Sequence, residues 1–351
     1  MTLLAPRPLP DSREAPPLPR VDPIARLPIL ILFPHSRCNC RCLMCDIWRE
    51  TRREELTAAD VERWLTGWRA LGVERVVLSG GEALLHSHLW EVCGLLREAG
   101  IGITLLTTGL LLARDAAALA RVCDDLVVSL DGPREVHDRI RNVPHAFDKL
   151  AAGVNAVRAA APGIAVSGRC TVQRANCQDL RATVRAAREL GLDRISFLAA
   201  DVSSEAFNRP GGWDGTRAAE VALRREDLPV LAEELDALAR EHAEDFARGF
   251  IAESLEKLEH RLLRHFAALL GEGDFAPVEC NAPWVSAVVE ADGTVRPCFF
   301  QPPLGNLYRS ESLAAVLNSA EAIAWRRGLD TARDATCRRC VCSLALREVP
   351  A

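Results

Sequence analysis

Nowhere in its 351 residues does the chain hold about 18 uninterrupted apolar residues, so no membrane-spanning helix is expected. Basic residues are not in excess either. Lys and Arg total 43 against 48 Asp and Glu, a formal net charge of −5. A nucleic-acid partner would call for a basic footprint, and none is expected. Residues 1–26 lack the apolar stretch of a secretory signal. With Pro6, Pro8, Pro10, Pro16, Pro17, Pro19 and Pro23 among mixed charges, they read as a flexible leader. Tyrosine is almost missing, Tyr308 being the only one. What is there is a hydrophobic content of 49%, which excludes global disorder, and length for one large α/β domain plus a smaller unit. Cysteine is abundant at 13 residues. Without an export signal these read as reduced thiols available to metal, in a cytoplasmic protein.

Four of the cysteines fall within eight residues, Cys38-Asn-Cys-Arg-Cys-Leu-Met-Cys45, directly after the apolar run from Leu27 to Phe33. That density exceeds what packing requires. The useful subset is Cys38, Cys42 and Cys45, spaced C-x3-C-x2-C. A zinc knuckle, or a saturated cluster that recruits Cys40, is compatible with the residues alone. The spacing resembles that of the radical S-adenosylmethionine (SAM) superfamily. There, three thiolates hold three irons of a 4Fe–4S cluster, and SAM binds the fourth through its amino and carboxylate groups. Met44 departs from the usual family form, which has an aromatic residue before the last cysteine.

From residue 27 short apolar runs alternate with helical periodicity, the pattern of repeated β–α units on a parallel sheet. Together with the resemblance this gives the expected fold class: α/β, a partial (β/α)6 TIM-like barrel with a small C-terminal β-hairpin and helix module that binds a cluster. Strands are expected at 28–34, 75–79, 102–106, 125–130, 165–172 and 194–199. A helix opens at Thr57 with Asp60 completing a capping box, and its Val61, Trp64, Leu65 and Trp68 form a core stripe. Gly80-Gly81-Glu82 follows the second strand, where barrel folds carry active-site loops. The glycine pair reads as a turn, or as a place where backbone approaches a ligand. The family's matching Gly-Gly-Glu segment receives the SAM amino group, which implies cofactor-binding roles for Gly80, Gly81 and Glu82. Thr108 stands in Thr107-Thr108-Gly109, where the family often has Thr-Asn-Gly. Strict alternation in the fourth strand turns Val127, Ser129 and Asp131 inward. Ser129 opens a stretch, Ser-Leu-Asp-Gly followed by His137-Asp138 and Arg141, that resembles a family segment whose serine contacts the SAM ribose. On the fifth strand Arg169 points inward and needs an anion, either the SAM carboxylate or a structural one.

Residues 201–276 break the rhythm and read as a helical insert or cap, with a Gly- and Pro-punctuated loop at 208–215 and helices over 227–270. The tail, 277–351, carries Cys280, Cys298, Cys337, Cys340 and Cys342 around a hairpin with its turn at Asp292-Gly293. Two close ligands plus two separated ones suit a tetrahedral thiolate site, for zinc or for iron–sulfur. The order Cys280-x12-Gly293-x4-Cys298, then Cys337-x2-Cys340, resembles the twitch module, a shortened SPASM domain. That implies one auxiliary 4Fe–4S cluster held by Cys280, Cys298, Cys337 and Cys340, with Cys342 unplaced.

The resemblance covers residues 28–200 and 278–345. It implies an enzyme that reductively cleaves SAM and uses a 5′-deoxyadenosyl radical to abstract hydrogen from a substrate C–H bond. An auxiliary cluster favours net oxidation of a small molecule, cofactor or peptide, with electrons from a flavodoxin or ferredoxin. A redox-neutral epimerase or rearrangement enzyme, which needs either no hydrogen donor or one such as Cys177 or Tyr308, is the alternative; a non-catalytic iron–sulfur or zinc protein is the other.

Overall fold

Strand β1 (Ile29–Leu32) is Ile-Leu-Ile-Leu and buried at all four residues, as a parallel strand covered on both faces must be. A computed structural model describes residues 16–347 and places β1 within one nine-stranded sheet. The other strands are β2 (Arg75–Leu78), β3 (Gly102–Thr107), β4 (Asp125–Ser129), β5 (Ala165–Val172), β6 (Arg194–Ala199), β7 (Ser286–Val289), β8 (Thr294–Arg296) and β9 (Gly305–Asn306). Their order is β6-β5-β4-β3-β2-β1-β7-β8-β9, with β1 to β6 all parallel. The sheet does not close on itself, so the barrel is partial, as expected.

The crossovers carry helices α1 (Ala58–Ala70), α2 (Leu89–Glu98), α3 (Leu112–Val122), α4 (Arg134–Arg141), α5 (Ala146–Ala160) and α6 (Leu180–Glu189). The capping box of α1 forms as expected: Asp60 N–H donates to Thr57 Oγ1 at 3.1 Å, and Thr57 N–H to Asp60 Oδ2 at 2.9 Å. Such a cap stabilises a helix by about 1 kcal/mol. Val61, Trp64 and Trp68 go into the core and Leu65 packs at its edge. Alternation on β4 and β5 sends Leu126, Val128, Val166 and Cys170 to the helices. Val127, Ser129, Ser167 and Arg169 face the barrel interior.

Both edges of the six-stranded unit are covered. At β6, Ile251 bridges Ile195, and Glu253 accepts the Phe197 N–H at 3.1 Å. Helices α7 (Gly215–Val221) and α8 (Asp227–Glu241) precede this cover, and Glu234 of α8 pairs with Arg181 of α6 at 2.9 Å. At the other edge β7 runs parallel to β1, with Ile29 opposite Ser286 and Leu32 opposite Val289. The hairpin β7–β8 turns at Gly293, whose φ of +78° and whose missing Cβ, which would lie 2.5 Å from the Tyr308 ring, both require glycine. The tail hairpin therefore extends the barrel sheet itself.

Residues 1–15 of the expected leader lie outside the described residues. From residue 16 the chain does not run free. Leu18 N–H donates to Leu346 O, Arg20 to Cys280 O, Ile24 N–H to Asn318, and Asp22 pairs with the buried Arg326. Proline-rich composition suggested a loose segment; partners far along the chain hold it instead. Among the described residues no helix is long and apolar enough to cross a membrane.

Candidate cluster and cofactor site

The cysteine loop leaves β1 and is fastened from three sides. Arg41 N–H and Leu43 N–H donate to the carbonyls of Arg141 and Ile140 at the end of α4, at 3.1 and 3.0 Å. Ser36 N–H donates to Glu54 O, and Glu82 N–H to Arg37 O at 2.9 Å. Gly81 is glycine because of this last contact: a Cβ there would sit 2.2 Å from Arg37 O. At Gly80, φ is +94° and a Cβ would meet the Phe33 ring at 2.7 Å. At Gly81 the backbone approach is therefore made to the cysteine loop, and both glycines also border the cavity next to it.

Cys38, Cys42 and Cys45 line one cavity of about 210 Å³; Cys40 is buried and does not line it. Among the described residues no three His, Cys, Asp or Glu side chains converge on a point that would hold a single ion. The three thiols instead border a shared space, a donor set that fits a multi-iron cluster. The hydrogen bond from Cys40 draws the pKa of the Cys42 thiol below its ordinary value, against burial and with help from Arg141, whose Nη1 is 3.6 Å from the sulfur. Burial pushes Cys45 up to about 12 and Cys38 up as well, so their thiolates need a cation. Arg141 is buried and paired with Asp131 at 2.6 Å, while Asp131 also accepts the Thr171 N–H. Arg141 closes the His137-to-Arg141 stretch, so the signal was present in the sequence, although no role was read for it there.

Gly80, Gly81, Thr108, Ser129 and Arg169 line the same cavity. Ser129 and Arg169 stand opposite each other on β4 and β5. Arg169 has no carboxylate at ion-pair distance among the described residues; its Nε lies 3.5 Å from Ser196 Oγ. Glu82 differs. It is fully buried and does not line the cavity. One carboxylate oxygen accepts Leu84 N–H at 3.1 Å and Thr107 Oγ at 2.9 Å; the other accepts Thr108 N–H at 2.7 Å and Thr108 Oγ at 2.6 Å. Burial raises its pKa, and these bonds oppose the rise. Glu82 ties the ends of β2 and β3 together with its acceptors already in use.

A second cavity of about 750 Å³ fills the barrel between the sheet and the tail. Cys280, Cys298, Cys337, Cys340 and Cys342 all line it, so the structure brings the four expected tail cysteines together with the unplaced fifth. Burial pushes Cys298 up to about 11 and Cys337 up to about 12. Gln301 Nε2 lies 3.4 Å from Cys337 Sγ, and Cys342 N–H donates to Cys340 Sγ at 3.4 Å. The two cavities share Leu106, Val127 and Arg169. Tyr308 is largely exposed with its hydroxyl on Asp60, and Cys177 is buried; neither lines either cavity.

An open parallel barrel with a three-thiol cavity, joined to a cavity walled by five more thiols, fits the two cysteine sites expected from the sequence. Residues 32–187 match the radical SAM superfamily, and residues 280–341 match the SPASM iron–sulfur cluster-binding domain. The chain thus carries a radical SAM domain followed by a C-terminal SPASM domain; a radical SAM domain binds a 4Fe–4S cluster and SAM, and a SPASM domain binds auxiliary iron–sulfur clusters. It is 28% identical over 341 residues to a PqqA peptide cyclase of Ruegeria pomeroyi, covering 93% of this chain and 82% of that one. It is 30% identical over 159 residues to an AdoMet-dependent heme synthase of Methanosarcina barkeri. That match covers 44% of this chain and 45% of the relative, less than half of its length. Among solved structures, anSMEcpe with bound AdoMet and the Cp18Cys peptide superposes with a TM-score of 0.63 at 20% identity, covering 91% of this chain and 92% of that one.

Proposed function

We propose that the enzyme performs a net oxidation, most simply of a peptide, with the tail cluster accepting the second electron. The observation that carries this reading is the meeting of the two cavities at Leu106, Val127 and Arg169, with tail thiols on the wall of the larger one. A peptide is favoured because a relative named for a peptide cyclase aligns along 93% of the chain. The bound cluster and SAM would supply a 5′-deoxyadenosyl radical able to take hydrogen from an unactivated C–H bond.

The protein's own part is positioning. Cys38, Cys42 and Cys45 would hold the first cluster, and Cys280, Cys298, Cys337 and Cys340 the second. The Gly80-Gly81 backbone, Thr108 and the Ser129 hydroxyl would seat SAM, and the Arg169 guanidinium would meet its carboxylate. Glu82 would act by fixing the Thr107-Thr108 segment. A redox-neutral reaction quenched by Tyr308 or Cys177 is disfavoured, since neither side chain lines the shared space. Electrons from a flavodoxin or ferredoxin, and a cytoplasmic location, complete the reading.

The test is anaerobic reconstitution, which should give about eight iron and eight sulfide per chain. Replacing Cys38, Cys42 and Cys45 together by Ala should halve that content and abolish SAM cleavage. Cys298→Ala should leave SAM cleavage largely intact while peptide turnover collapses into uncoupled 5′-deoxyadenosine. Because β7 and β1 share a sheet, retained first-cluster absorbance and circular dichroism must accompany that result. A folded Cys298 variant converting substrate at the wild-type rate would sink the acceptor role.

A further inference from the structure

The segment just after β6 lies beyond the residues matched to the radical SAM superfamily, yet it grips the cysteine loop. Asp46 N–H donates to Phe207 O at 3.2 Å, and Asn208 Nδ2 to Asp46 O at 3.2 Å. Trp213 Nε1 donates to Asp46 Oδ2 at 2.6 Å, and Arg217 to Leu43 O at 2.5 Å. Phe207 and Asn208 both hold a φ of +62°. A bulky side chain in that region is strained, and strain persists only where surrounding contacts enforce it. Here the Phe207 ring borders the SAM-side cavity and packs edge-on against Phe300 of the tail, 6.0 Å between centroids.

Arg209 is the centre of this grip. Its side chain is 1% exposed. Nη1 donates to Asp201 O at 2.8 Å and to Asp201 Oδ2 at 3.0 Å; Nη2 donates to Met44 O at 2.5 Å, beside Cys45. The guanidinium stacks 3.8 Å from the Trp213 ring centroid and 5.1 Å from that of Phe207. Nε is buried and has no acceptor among the described residues. The carboxylate of Asp201 is satisfied separately by Ser203 and Ser204. The negative end of the pair borders the three-cysteine cavity with hydroxyls on its oxygens, while the positive end sits behind it and reaches the backbone of the cysteine loop.

We propose that Arg209 is a positioning residue for the first cluster: its buried, stacked guanidinium fixes the Met44 carbonyl and holds a positive charge beside Cys45, favouring the reduced cluster. Reduction adds one electron, hence one negative charge, and a nearby buried cation stabilises the product more than the reactant. Planarity, the forked donor set and stacking explain why arginine stands here, since lysine offers the charge without the fork. The inference is independent of substrate and of net oxidation.

The test is an EPR-monitored redox titration of reconstituted holoenzyme. The first cluster is identified by its spectral response to SAM, and the auxiliary cluster serves as internal reference. In Arg209→Gln, the ratio of reduced to oxidised first cluster at a fixed potential should fall about tenfold, as expected for a buried charge partly offset by its partner. The auxiliary cluster should not move. Arg209→Lys should recover most of the ratio, yet amides 43–46 should exchange hydrogen faster than in the wild type. Asp201→Asn, which keeps Arg209 and removes the opposing charge, should raise the ratio. An iron-replete Arg209→Gln protein with an unchanged ratio overturns the proposal. If that variant fails to load iron, Asp201→Asn decides: a raised ratio supports the proposal, and an unchanged or lowered one overturns it.

Discussion

Replacing Gly81 by Ala should separate the first cluster from the rest of the fold. The new Cβ would lie 2.2 Å from Arg37 O, 2.6 Å from Arg37 C and 3.2 Å from Cys38 N. Carbon–carbon contacts are comfortable only near about 3.5–4.0 Å, so the loop must withdraw by roughly 1 Å. All three atoms are backbone, and no rotamer change relieves the clash. The Glu82 N–H to Arg37 O bond, 2.9 Å long, spans the same contact and would be lost. A buried donor left without an acceptor costs about 1–3 kcal/mol. Cys38 is bonded to Arg37 and moves with it, whereas metal–ligand distances tolerate only about 0.2 Å. Iron should drop from about eight to about four per chain, with the tail cluster retained. SAM cleavage should fall about a hundredfold or more, the usual penalty of an ångström misplacement at a reacting centre. Gly94→Ala is the control, since a Cβ there meets nothing within 4 Å and α2 should gain about 0.5–1 kcal/mol. A Gly81→Ala protein with full iron and the wild-type cleavage rate would refute this account.

Glu82→Gln turns one carboxylate oxygen into an NH2 group, which must then face either Leu84 N–H or Thr108 N–H. Charge-assisted bonds of this kind contribute about 1.5–3 kcal/mol, so stability in urea unfolding should fall by about that much and SAM affinity by calorimetry should weaken as the Thr107-Thr108 segment loosens; unchanged affinity with the cluster intact counts against the positioning role. Burial raises the pKa of Glu253 above its ordinary 4.5. The folded state therefore holds its proton more tightly, and Glu253 contributes most below pH 4.5 and loses that contribution as pH rises through the raised value. Glu253→Gln should match the wild type in urea unfolding near pH 4 and exceed it at pH 8; equal stability at pH 8 would contradict the burial argument.

Local chemistry was the legible part. The bounds of β5 and β6, the Thr57–Asp60 box and the turn at Gly293 follow from short-range patterns that tertiary context does not override. The three-cysteine spacing singled out Cys38, Cys42 and Cys45, and the same three border the smaller cavity. The contact of Gly81 with Arg37 O was not legible because a sequence does not say whose backbone will come close. Glu82 looked like a free acceptor because its donors, Thr107 and Thr108, arrive on another strand. Asp46 with Trp213, and Asp22 with Arg326, join segments far apart in the chain, and neither pairing leaves a periodic trace. The clamp after β6 and the pinned leader were invisible for that reason.

The pairing of β1 with β7 also bears on how the protein is made. Strand β1 is synthesised near the beginning and its parallel neighbour near the end, so the first strand waits with one edge unpaired through most of translation. Ring closure between such distant segments is entropically costly and slow. The hairpin supplying that edge also carries the chain from Cys280 to Cys298, so the tail thiols and the last strand of the barrel edge arrive on one segment. A chain lacking β7 would display the bare edge of β1 beside the three-cysteine loop.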